Sequence, residues 1–113
     1  MNIPYERPLE TGVVATLRGT APDAYRADGT PRRRLLLRAD IDGLPIKEDT
    51  GLPFTSRHEG NMHACGHDTH AAMLLGALRV LAVHKNELKG NVRFVFQTAE
   101  EISKGAQIAI KEG

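Results

Sequence analysis

The sequence predicts an α/β fold. Three short runs, at residues 11–17, 35–37 and 92–97, are apolar, β-branched or alternating and read as strands. A longer apolar segment over 69–85 reads as a helix that packs on them. The second and third runs each end in acidic side chains, and open α/β sheets hold their ligands at the C-terminal ends of strands. A chain of 113 residues supports one modest core and leaves no room for two domains.

Taken in order, residues 1–8 carry two prolines among mixed charges and are expected to enter the fold as extended chain. Residues 11–17 are β-branched and apolar, with Gly19 beyond them, as a strand requires. The span 20–33 is rich in Gly, Pro, Asp and Arg and reads as a surface hairpin or loop. Leu35-Leu36-Leu37 is a continuous apolar run of the kind buried on both faces, and is read as the central strand, although so short a run also fits a helix. Residues 46–61, with Pro53 and two glycines, are expected to form an irregular loop over one edge of the site. Asp68 or Thr69 is expected to cap the helix that runs to about Lys85. Its apolar positions leave only a thin polar face, so it should be buried. After a turn at Lys89-Gly90-Asn91, the strand over 92–97 delivers Thr98-Ala99-Glu100-Glu101, and a second helix is expected from about Ser103 to Ile110.

Composition excludes several classes of function. Fifteen Lys and Arg against fourteen Asp and Glu leave a net charge of +1, with no global attraction to nucleic acid or an anionic membrane. Arg32-Arg33-Arg34, with Arg38, lacks interleaved aromatics and reads as a solvated loop. The longest apolar run, 71–78, is far short of the roughly 18–20 residues that span a bilayer. The single cysteine permits no internal disulfide and suits a reducing compartment, so the cytoplasm is the expected location. A small-molecule or protein partner is the expectation that remains.

The chemistry is concentrated in His63-Ala64-Cys65-Gly66-His67-Asp68-Thr69-His70. Cys65 and His67, one residue apart in a loop, can turn a thiolate and an imidazole nitrogen toward one ion at about 2.0–2.3 Å. Those donors suit zinc or nickel, and added carboxylates also admit manganese or cobalt. His63 and His70 read as residues that orient the site or satisfy the helix face. Asp68 is either a helix cap alone or also an orienter of His67. Glu100 and Glu101 are adjacent like charges at a strand end. They form either a surface turn or a divergent pair in which one carboxylate binds metal and the other acts as general base. Asp40 and Asp42, two apart on an extended segment, share one side and either approach the cation together or cap the next turn.

Three stretches together carry a resemblance: Arg38-Ala39-Asp40-Ile41-Asp42-Gly43-Leu44-Pro45, the 62–70 motif, and Phe96-Gln97-Thr98-Ala99-Glu100-Glu101. In order and spacing the chain resembles the M20 metallopeptidases, and within them the amidohydrolase branch of hippurate hydrolases and N-acyl-amino-acid deacylases. That resemblance implies a three-layer α/β catalytic domain of zinc-exopeptidase type, present here as an N-terminal portion over 1–113. The inserted dimerisation domain and two later histidine ligands would lie beyond it, and the exposed sheet edge makes a homo-oligomer an expectation. It further implies two divalent ions in the full enzyme, with Cys65, His67 and Glu101 as ligands and Glu100 as the base that activates the hydrolytic water. Asp40 and Asp42 fall where related enzymes keep a ligand and its orienting carboxylate. The implied substrates are N-acyl amino acids such as hippurate-like or N-acetyl compounds. Thr98 and Ile102-Ser103-Lys104 depart from the proline and glycine-rich turn more usual in the branch.

Two other readings fit the same residues. A non-catalytic module would hold one structural ion at the Cys-His loop in a closed four-ligand site. A thiol enzyme would use Cys65 as nucleophile and a histidine as base, and would leave the Glu100-Glu101 pair without a role.

Overall fold

The computed structural model describes residues 2–8 and 10–111. Met1 of the extended opening segment and Gly113, the last residue of the resemblance, lie outside them. The elements are β1 (Tyr5–Glu6), β2 (Val13–Arg18), β3 (Arg34–Asp40), α1 (His67–Val83), β4 (Asn91–Gln97) and α2 (Gly105–Lys111). The strands form one mixed sheet in the order β1-β2-β4-β3, antiparallel except for the parallel pair β3 and β4. A parallel pair needs a crossover connection, and α1 supplies it. The α/β class is therefore as expected, and the expected hairpin over 20–33 closes through a Tyr25–Pro31 bridge.

The core follows from the strand period of two. Phe94 pairs with Ala15 on one side and Leu37 on the other. The flanking rows place Val92 beside Leu17, and Phe96 between Val13 and Ala39, on the same face. Leu74 and Leu78 of α1 close over that face, and Phe94 is fully buried at 0 % exposure. Burying one such side chain contributes about 1.5–3 kcal/mol.

Two expectations about this core are corrected. In the sheet formed by the described residues the Leu35-Leu36-Leu37 strand lies at the edge, not the centre, and Leu35 and Leu36 remain 52 % and 59 % exposed. β4 occupies the interior because its alternating residues have partners on both sides. The helix buries a single stripe, His67, Leu74 and Leu78, while Met73, Leu75, Val80 and Val83 face outward. Its apolar residues surround the axis, but one flat sheet covers only one side of a cylinder.

The two sheet neighbours of β4 close on it at Gly90. The Gly90 carbonyl accepts the Gly19 N–H at 2.8 Å, and the next N–H, that of Asn91, donates to Arg33 at 2.9 Å. At φ 150° a side chain is already disfavoured, and a Cβ would lie 2.1 Å from the Arg33 carbonyl oxygen. Gly90→Ala is expected to cost more than about 2 kcal/mol, and thermal unfolding should show a Tm lowered by about 10 °C. An unchanged Tm would mean that the strand starts shift without cost.

Candidate metal centre

The parallel pairing puts Asp40, the last residue of β3, beside Gln97, the last of β4, and the N-terminus of α1 arrives at the same end of the sheet. The turn into α1 depends on Gly66, whose φ of 84° lies in the left-handed region that glycine enters without a Cβ penalty. Gly66 also occupies the N-cap, and no side chain caps it. This corrects the expected cap: Asp68 and Thr69 lie in the first turn, and the Thr69 hydroxyl donates back to the Gly66 carbonyl at 2.6 Å. The turn places Cys65 outside and His67 inside, with His67 only 3 % exposed.

His67 is gripped from both ends of its ring. Nδ1 lies 3.1 Å from the Asp42 backbone oxygen and 3.2 Å from its carboxylate. With two acceptors there, the proton belongs on Nδ1 and the Nε2 lone pair is free, the arrangement of a histidine ligand held by a carboxylate. Nε2 lies 3.8 Å from both Asp40 Oδ1 and Glu101 Oε1. Asp42, not Asp68, is therefore the residue that orients His67. The other carboxylate oxygen of Asp42 accepts the Glu101 backbone N–H at 3.2 Å and ties in the turn after β4.

That turn is built on Ala99 in the left-handed region, φ 60°, whose carbonyl accepts from the N–H groups of Lys104 and Gly105. It points Glu101 at His67 and brings its carboxylate within 4.8 Å of the Cys65 thiol. Glu100 is half-buried and close enough for its charge to act on Cys65.

Among the described residues two donor groups result, each with its ligand atoms within 4.8 Å of one another, and His67 belongs to both. One is Cys65, His67 and Glu101; the other is Asp40, His67 and His70. His70, expected to orient or to satisfy the helix, lies in the second group, where its Nδ1 is 2.6 Å from Asp40. His63 belongs to neither group and instead lines a cavity with Asp68. Arg38 is also misplaced by the solvated-loop reading. Its guanidinium bonds Asp40 at 2.9 Å and the Gln97 side-chain oxygen at 3.1 Å. The signal was present in the sequence, since residues two apart on a strand share a side.

The electrostatics suit a cation. The hydrogen bond and then the charge of Glu101 push the Cys65 thiol above its usual range, because a thiolate there would face another anion. Burial opposes charge on Asp40, but the His70 hydrogen bond and the nearby His67 and Arg38 outweigh it, and its carboxyl is held below the usual range. Burial likewise opposes protonation of His67, yet Asp40 and then Asp42 raise its imidazole. A soft thiol, an imidazole and hard carboxylates gathered in this way fit a divalent ion.

The similarities to known proteins agree with this geometry. The model of peptidase family M20/M25/M40 matches residues 36–113. The N-acetylcysteine deacetylase of Bacillus subtilis is 49 % identical over 93 % of this chain and 25 % of its own length. The N-acetyldiaminopimelate deacetylase of a Geobacillus species is 48 % identical over 87 % of this chain and 23 % of its own length. The chain thus spans about a quarter of the curated relatives it matches. Among solved structures, a dinuclear metal-binding peptidase of the M20 family from Bacillus subtilis superposes with a TM-score of 0.85 at 44 % identity, covering 99 % of this chain and 29 % of that one. No helix among the described residues is long and apolar enough to cross a membrane. By the matched span and by these likenesses in sequence and structure, the chain belongs to peptidase family M20/M25/M40.

Proposed function

We propose that the protein to which this chain belongs hydrolyses the amide bond of N-acyl amino acids, N-acetyl compounds first among them. The observation that supports this reading is the convergence of Cys65 and His67 at the start of α1 with Glu101 from the turn after β4, with Glu100 next to Glu101 and outside both donor groups. A divalent ion held by these residues, whether manganese, zinc, cobalt or nickel, would polarise the amide carbonyl and acidify water. Glu100 takes a proton from the attacking water as the oxygen–carbon bond forms, and delivers it to the amine as the carbon–nitrogen bond breaks. Asp42 fixes the ring of His67 through Nδ1, and Arg38 and His70 fix the carboxylate of Asp40.

The test is to dialyse the purified full-length protein against dilute manganese or zinc, measure the retained metal, and assay acetate release from N-acetyl amino acids. Near-stoichiometric metal and hydrolysis abolished by a chelator are expected. A folded full-length protein that retains no ion overturns the reading. One that holds the ion without turnover is a metal-binding module.

A further inference from the structure

Among the described residues the buried polar side chains are Asp40, His67 and Gln97. Asp40 and His67 belong to the donor groups, and Gln97 belongs to neither. Gln97 ends β4 and is only 5 % exposed. Burying an amide is costly unless its polar atoms are bonded, so its placement calls for a partner.

That partner lies on the neighbouring strand. Gln97 Oε1 accepts the Arg38 Nε–H at 3.1 Å, and the same guanidinium donates from Nη1 to Asp40 Oδ2 at 2.9 Å. The second oxygen, Asp40 Oδ1, accepts from His70 Nδ1 at 2.6 Å and lies 3.8 Å from His67 Nε2. The side chains thus run in series from Gln97 through Arg38 and Asp40 to His70. With one donor on each oxygen, the plane of the Asp40 carboxylate is set. Gln97 is itself held in place. Its backbone carbonyl accepts the Ile41 N–H at 2.8 Å, and a Cβ on Gly105 would lie 2.7 Å from its Nε2, so α2 begins against the amide.

The residue type fits the task. A long, partly exposed arginine has many rotamers from which to meet a carboxylate, and a second bond to a fixed acceptor selects one of them. A carboxylate at 97 would compete with Asp40 for the charge of Arg38. A neutral amide takes only the Nε–H and leaves that charge to Asp40.

We propose that Gln97 is a positioning residue: by fixing Arg38 it fixes the Asp40 carboxylate, so that Oδ1 stays turned toward His67 and His70 in the second donor group. What the positioning serves rests on the metal-centre reading above.

The experiment uses the full-length protein with isotope-labelled histidines, first metal-free and then loaded with zinc. In the metal-free protein the His70 Nδ1–H, bonded to Asp40, gives a low-field proton signal. Gln97→Met should move that signal upfield or lose it to exchange with water. Zinc affinity, measured against a competing chelator, should fall about tenfold, the lower end of the effect of residues that hold a ligand in place. Gln97→Asn keeps the amide but is one methylene short of Arg38, and should give the same losses if Gln97→Met does not fold. Arg38→Lys keeps the charge without the guanidinium fork and should match them. Because the residues act in series, the double variant Arg38→Lys, Gln97→Met should lose no more than Arg38→Lys alone. Losses that multiply would give Gln97 another route of action and overturn the proposal. So would a His70 signal or a zinc affinity equal to the parent's in a folded variant at 97, since a merely structural role lowers the metal-free Tm and moves neither. A parent that binds no zinc removes the metal-centre reading alone, and the His70 signal of the metal-free protein then decides whether Gln97 positions Asp40.

Discussion

His67→Ala is expected to abolish metal retention at both donor groups, with affinity lowered by more than about 100-fold. Loss of a residue that merely orients a ligand costs about 10- to 100-fold, and His67 is a ligand candidate in each group. Cys65→Ala removes a donor from one group only and leaves Asp40, His67 and His70 together. The two variants should therefore differ in the number of ions retained after dialysis, read by elemental analysis. Because His67 is buried, its loss opens a cavity and leaves Asp42 without its ring partner. His67→Gln, which keeps volume and polarity, provides the control, and circular dichroism shows whether each variant is folded. Full metal retention by a folded His67→Gln chain would remove the shared-ligand assignment.

The second large effect is expected at Glu100. Glu100→Gln keeps the size of the side chain and removes its basicity, so kcat for N-acetyl substrates should fall by about 10²- to 10⁴-fold. Metal content and KM should stay close to those of the parent, because Glu100 belongs to neither donor group. Glu101→Gln should show the converse, a loss of metal with activity falling in proportion. If Glu100→Gln loses metal and Glu101→Gln does not, the roles of the two residues are exchanged.

Much of this was legible in the sequence because it is local. Cys65, Gly66 and His67 are consecutive, Glu100 and Glu101 are adjacent, and α1 and β4 stand where their apolar patterns put them. What was illegible depends on neighbours distant along the chain. Three leucines in a row state that a strand is apolar but not which strands flank it, and β3 proved to be an edge. Asp68 lies beside His67 in sequence, yet Asp42, twenty-five residues away, holds the ring. Asp68 points into the cavity because the helix begins at His67, and the next residue is rotated by about 100°. Gly66 as N-cap was hidden because oxygen-bearing side chains are the usual choice there.

The two arms of Asp42 reach further than the site. One holds His67 across 25 residues and the other holds Glu101 across 59. A nascent chain that has emerged only as far as the Cys-His loop lacks Glu101, so the first donor group forms only after β4 and its turn have been synthesised and docked. Ion capture by this group then follows the docking of β4, and an ion at about 100 times its dissociation constant adds about 2.7 kcal/mol to the folded state. In a cell starved of that ion the unfolded population grows and is degraded, so scarcity lowers the abundance of the protein as well as its occupancy.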